Sequence, residues 1–419
     1  MKKLIYYLNF FSLIFYSCNN TKENSILYDN VDVNKIASNI SLMKDSVSSD
    51  LIHIKIPNLN KDEYELYSSD IFDSVYYVPL ETTEESIIGS IDKLMINQDT
   101  LYIIDRYKLK CIKRFTLNGK YIDQIGSLGN GPGEFVEPTD VYVDNNEIIV
   151  LDQFQKKLIT YSHNGKLIKD TLRPFACFQV AKIDIDKYIF RTIESLNSHI
   201  PDLYEYNLWT TNKDFVIDKK GFYQQTNTYS PILNFNDLSY INNNVYFYNN
   251  FTDSIYQITS DGCVICKYVI DIDQDRSNDL FLEENYDKLI EKEKQGEFYV
   301  ISQILITNDY VLCKIINQYK PYYIFYSKNT KKEVCIRYFK PDFYTILPTL
   351  GSILNVTDDT FVGEITAENF SLLLSWPKEL FDDLENNCGI EIVDRMKQFC
   401  KTIHPDDNPV LVFYKMKKW

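Results

Sequence analysis

From Ile71 to the C-terminus the chain alternates short apolar runs with Asn, Asp and Gly punctuation, and the runs have the length and β-branched, aromatic content of strands. Two consecutive segments repeat the same order. The runs at 91–94, 101–105 and 111–115 lead to Asn118-Gly119, and those at 138–143, 148–152 and 158–161 lead to Asn164-Gly165. Asp152 follows Asp105 by 47 residues and Gly165 follows Gly119 by 46. A period in the forties with four strands per unit predicts blades of a β-propeller, small twisted sheets that bury their faces only against neighbouring blades. Each Asn-Gly is expected to be the centre of a two-residue hairpin with positive φ at both positions.

Later units are more degenerate. The order strand, strand, Asx-Gly turn returns at 244–248, 254–258 and 260–263, and Gly262 lies 97 residues after Gly165, which calls for one blade between them around 188–215. Further strand pairs stand at 310–313 with 322–326 and at 360–363. Two stretches read as helical insertions, a highly charged one near 278–294 and one at 377–402 with apolar residues at mostly helical spacings. The remainder divides into six blades. The final run 410–414 and the early run 74–80 each lack a complete blade, so pairing them would zip the ends of the chain together and leave no open edge. The expected fold is all-β: a six-bladed propeller of four-stranded antiparallel blades over 51–419, with short helical insertions, preceded by a polar stretch at 19–50 that reads as a flexible tether.

The N-terminus changes the picture from a free domain to an exported one. Lys2 and Lys3 precede an almost wholly apolar run at 4–15, too short to span a bilayer comfortably, and Ser17-Cys18 ends it. This resembles a bacterial lipoprotein signal over 1–18, in which Cys18 becomes the lipidated first residue; Phe15 and Tyr16 replace the residues usual before the cysteine, so plain secretion and a retained anchor are the alternatives. The formal net charge of -15 argues against a phosphate-binding surface, because an acidic protein repels nucleic acid and anionic lipid headgroups, and leaves basic partners or neutral ligands open. Of the eight cysteines after Cys18, Cys263 and Cys266 form the one C-x-x-C; without a second close pair this reads as a local disulfide or as two thiols on a strand beside a turn rather than a zinc site.

The stretches 72–82 and 86–94, the run 126–135 and the close 407–412 together resemble the six-bladed β-propeller lipoproteins of Bacteroides-type bacteria, and 126–135 also echoes the linker of NHL repeats, a TolB-like arrangement. The resemblance implies a propeller held at the bacterial cell envelope, at the outer membrane or facing the periplasm. It implies no reaction.

Candidate chemistry is sparse. The glycine-rich run 126–133 is followed by Glu134-Phe135 and a strand, where a phosphate cradle would need a helix, so it reads as an inter-blade turn with Phe135 packed between blades. Asp105 and Asp152 hold equivalent positions; they suit capture of backbone amides in the following turn, with a cation site near the channel as the alternative, and with Arg106 and Gln153 after them they are the candidates for ligand contact. Only His53, His163, His199 and His404 are available for metal or acid-base work, and their spacing suggests neither a metal site nor a Ser-His-Asp set. No catalytic residue or cofactor is indicated. The expectation is a non-catalytic propeller binding an envelope protein, glycan or peptide, touching the membrane through its lipid alone; the alternative is an envelope hydrolase or lyase acting at the central channel.

Overall fold

The structure, a computed structural model, describes residues 28–59, 64–192, 196–223, 237–241, 244–248, 253–272, 291, 294–295, 299–318, 320–342, 345 and 350–419. Six small sheets of mainly antiparallel strands form a ring. Blade 1 holds Lys93–Asn97, Thr100–Asp105, Cys111–Thr116 and Tyr121–Gln124; blade 2 holds Asp140–Val143, Ile148–Asp152, Lys157–Tyr161 and Leu167–Leu172. Blade 3 holds Gln179–Asp184, Lys187–Arg191, Tyr206–Asn212 and Ile217–Tyr223, and blade 4 holds Leu238–Ile241, Asn244–Tyr248, Ser254–Ile258 and Val264–Ile272. Blade 5 holds Tyr299–Ile306, Tyr310–Asn317, Lys320–Ser327 and Lys332–Ile336. Blade 6 takes Ser352–Thr357, Thr360–Ile365 and Val410–Met416 from the end of the chain and Phe72–Pro79 from its beginning.

Why the second strand of a blade reads as a continuous apolar run follows from what its two faces touch. In blade 1, Leu101 and Ile103 pack with Val362 and Phe413 of blade 6, whereas Tyr102 and Ile104 pack with Val141 and Val150 of blade 2. In blade 2, Ile148 and Val150 turn back to blade 1 while Ile149 and Leu151 meet blade 3. Both faces are buried between blades, so the alternation of a half-exposed strand disappears.

Closure is strong. Val410–Met416 pairs with Phe72–Pro79 from Val410↔Pro79 to Met416↔Phe72. Asn408, 2% exposed, fastens the junction: its Nδ2 donates to the carbonyls of Glu81 and Ser86, and its Oδ1 accepts the amide of Ile88.

Two features depart from the expectation. Of the three Asx-Gly turns, only the glycines have positive φ: Gly119 at 80°, Gly165 at 76° and Gly262 at 79°. Each glycine amide donates three residues back, to Thr116, Ser162 and Thr259, and each of those residues' amides donates four residues on. This is a type I turn closed by a bulge, a longer loop than the expected two-residue hairpin, so the Asn or Asp before each glycine keeps ordinary φ.

The second departure concerns the stretch expected to be tether. From Tyr28 on, the chain lies on the ring. Ser41–Leu42 adds in parallel to the outer strand of blade 3, and Asp45–Ile56 adds in parallel to that of blade 4, with a register shift between Val47 and Ile52. Glu65–Tyr67 pairs in parallel with Tyr338–Lys340 beyond blade 5 before the chain enters blade 6. Ile36 and Met43 join the core of blades 2 to 4, and Ile54 and Ile56 join that of blades 4 and 5. This belt covers outer edges that would otherwise present unpaired backbone groups. Residues 19–27 of the expected tether and 1–18 of the signal lie outside the described residues, as does nearly all of the expected insertion 278–294.

Within blade 6, the chain expected to be helical at 377–402 forms helices Lys378–Cys388 and Ile390–Cys400, preceded by Ala367–Leu373, whose N-terminus Thr366 caps by accepting the Asn369 amide. Phe370, Leu373 and Cys400 pack over Tyr77 of the outer strand.

Candidate functional site

The loops between second and third strands and the linkers from one blade to the next share one face of the ring, here the loop face; the hairpins carrying Gly119 and Gly165 lie on the other. All four candidates stand on the loop face of blades 1 and 2. Asp105 is fully buried at the end of its strand. One carboxylate oxygen accepts the amides of Gly89 at 2.7 Å and Ser90 at 3.3 Å, and the other accepts the amide of Lys108 at 2.9 Å. Asp152 repeats this, taking Val136 at 2.6 Å, Glu137 at 3.5 Å and Gln155 at 2.9 Å. The offsets are the same in both blades, sixteen and fifteen residues back and three forward. Each carboxylate therefore ties its own turn to the linker that enters its blade.

The following residues are held as well. The Arg106 amide donates to Asp92 Oδ2 at 2.7 Å, and its guanidinium lies 5.7 Å from the centre of the Tyr107 ring, with the side chain 2% exposed. The Gln153 amide donates to Thr139 Oγ1 at 3.0 Å, while its side-chain oxygen accepts from Arg173 and from the Cys177 amide, each at 3.1 Å. Glu137, whose carboxyl burial raises and Lys110 and Arg106 pull back down, lies between the two blades' loops.

Residues that the sequence reading passed over complete the face. Lys93 Nζ donates to Asp140 Oδ1 at 2.6 Å, and Asp140 Oδ2 accepts the Val180 amide at 3.0 Å, so this pair spans the inner strands of blades 1, 2 and 3. Lys93 and Asp140 are 47 residues apart, one repeat, and that spacing was the available signal. In blade 3 the position of Asp105 is taken by Arg191, which pairs with Asp237 at the start of blade 4. Burial pushes the Asp237 carboxyl up to about 7 against the pull of that guanidinium. Burial likewise raises Glu364 of blade 6 to about 7, with the charge of Asp92 adding to the rise and Lys108 opposing it.

Inside the ring, the six inner strands enclose a cavity of about 40 Å³. That holds a few waters, well below the several hundred cubic ångströms of a ligand pocket. Its polar lining includes Lys93, Gln303 and Asn355, with no carboxylate among the described residues. The histidines are dispersed: His53 meets Asp271 on the rim at 3.1 Å, His163 meets Tyr102 at 2.9 Å, His199 meets the Pro174 carbonyl, and His404 is beside Asp406. Among the described residues no group of three His, Cys, Asp or Glu is arranged to hold a metal. Cys263, beside the Gly262 turn, and Cys266 on the strand after it are both free thiols.

A six-bladed ring whose repeated polar residues brace its loop face is the class of protein this geometry defines. Residues 51–415 match the family described as "Domain of unknown function (DUF4934)", and the chain belongs to that family. No curated protein matches it. Among solved structures, a Bacteroides fragilis protein assigned as exported shares the fold at a TM-score of 0.65 and 18% identity, over 88% of this chain and 100% of that one. A DUF4221-family member from Bacteroides vulgatus aligns at 12% identity and a TM-score of 0.44, over 83% of this chain and 97% of its own. A virginiamycin B lyase from Staphylococcus aureus aligns at 11% and 0.35, over 63% and 74%. At 18% identity the first shows the fold alone, and the other two are too distant to carry an argument.

Proposed function

We propose that this chain is a non-catalytic binding propeller, exported and held at the cell envelope through lipid on Cys18, which takes an envelope protein, glycan or peptide on a face of its ring. The observation that carries the reading is the use made of Asp105 and Asp152. Both carboxylates, the residues best placed by repetition to meet a ligand, are buried and occupied by three backbone amides each. The small size of the cavity between the inner strands supports the same view. The family resemblance and the exported relative of the same fold accord with a place at the envelope.

A second reading, an envelope hydrolase or lyase, has one observation in its favour. Glu364, held near neutral pKa beside Asp92, has the proton affinity of a general acid. A thermal-shift screen of the full chain against glycans and peptides, with product analysis of the same mixtures, separates the two. Binding without turnover is expected, as a saturable rise in melting temperature worth about 2.7 kcal/mol at a ligand concentration one hundred times Kd. Turnover of any member of the panel, abolished by Glu364→Gln, would replace the binding reading with the catalytic one.

A further inference from the structure

We infer that the loop face of blades 1 and 2 is a lipid-contacting surface, turned toward an anionic bilayer by the chain that leaves the ring beside it. Three observations carry this.

The first is where the chain departs. Tyr28 is buried on the loop face, stacked on His199 of blade 3 with ring centres 4.4 Å apart, and the Nζ of Lys156 in blade 2 lies 4.5 Å from its ring centre. It lies ten chain steps from Cys18, a reach of at most roughly 35 Å even when fully extended. A lipid on Cys18 therefore keeps Tyr28, and with it the loop face of blades 2 and 3, within that reach of the membrane.

The second is exposed apolar side chains at matching places. Tyr107 and Phe154 each stand two residues after the buried aspartate of their blade, and they are 44% and 68% exposed; Leu109 is 42% exposed, and Leu128 of the linker between the two blades is 54% exposed. Nothing in the fold of a blade requires an aromatic ring there, because the turn is already held by the aspartate and its amides.

The third is local charge. The two loops carry Lys108, Lys110 and Lys156 at the surface, on a chain whose net charge is -15, while Arg106 is buried, Lys157 is held by Asp170 and Lys110 is shared with Glu137 at 3.8 Å. Aromatic and leucine side chains flanked by lysines suit the headgroup boundary of an anionic bilayer, where rings insert shallowly and ammonium groups meet phosphate.

The inference rests on the lipid-anchor reading for the chain's orientation, and the test separates the two. Single tryptophans are placed by Phe154→Trp or, on the opposite face, by Ile185→Trp, at a residue 81% exposed in a turn of blade 3. The full chain, purified from membranes, is mixed with vesicles of phosphatidylethanolamine and phosphatidylglycerol whose acyl chains carry bromine, and quenching above the native tryptophan background is compared. At least threefold stronger quenching at 154 than at 185 is expected, and Leu109→Trp should follow 154. Equal quenching at the two faces overturns the lipid surface and leaves this face to a protein partner. Intact mass of the same sample reads acylation of Cys18: an unacylated chain that is still quenched at 154 refutes the anchor and sustains the surface.

Discussion

Blades 1 and 3 solve one mechanical problem with opposite charges. At the loop-face end of the second strand, Asp105 and its counterpart Asp152 in blade 2 accept backbone amides from the linker and from their own turn. Blade 3 has Arg191 at that point, and among the described residues its guanidinium pairs with the side chain of Asp237. Arg191 Nε and Nη1 and Asp237 Oδ1 have no hydrogen-bond partner among the described residues. A carboxylate answered by amides depends on nobody's side chain, so the linker sequence is free to vary. A guanidinium answered by one carboxylate depends on both residues at once, and burial makes each costly alone.

The comparison is broken most severely by Arg191→Met. It strands the Asp237 carboxyl in a fully buried place, with an expected loss of about 3–5 kcal/mol in denaturant unfolding. Adding Asp237→Leu should recover most of that loss, since a paired apolar replacement removes the uncompensated charge; a double variant as unstable as the single one would show that the pair is not a unit.

Next in size are Asp105→Ala and Asp152→Ala. Each leaves three buried amides without their acceptor and should cost roughly 3 kcal/mol, with no rescue from any single linker substitution. Unchanged melting in either variant would mean that the clasp does not hold the blade and would reopen a ligand role for that aspartate.

The smallest effect sharpens the picture at the junction of blades 6 and 1, where Glu364 meets the linker residue Asp92. Its carboxyl is raised from 4.5 to about 7. Between those values the folded chain keeps a proton that the unfolded chain has released, so stability should fall as pH rises through that window, by roughly 2 kcal/mol. Unfolding at pH 5 and at pH 7.5 checks the sign. Glu364→Gln should lessen the slope without abolishing it, because Asp237, also raised to about 7, titrates in the same window; a slope unchanged in that variant would show that Glu364 does not contribute.

Much of this was legible in the residues. The 47-residue step between Asp105 and Asp152, the continuous apolar runs and the terminal strands at 74–80 and 410–414 were enough for a six-bladed ring closed by both ends of the chain. The role of the two aspartates was legible too, because amide capture by Asp in a turn is a local habit. The belt was not. Its second strand contains Ile52-His53-Ile54-Lys55-Ile56, an alternation that signals a strand, but the polar residues before it mask that signal and nothing nearby pairs with it. The Arg191–Asp237 clasp was equally hidden, since Asp is absent from the expected position in blade 3 and the residue that answers is 46 places away.

What the sequence by itself determined is therefore the repeat: strand lengths, the turn glycines and the count of blades, all set by periods and turn chemistry within one unit. Only the tertiary structure decided that the N-terminal stretch lies on the rim of blades 3 to 5, which outer edge each piece joins, and which charges meet across blades. Those choices join residues far apart in the chain, 218 positions for His53 with Asp271, and are set by which edges and buried charges remain unsatisfied once the ring has closed.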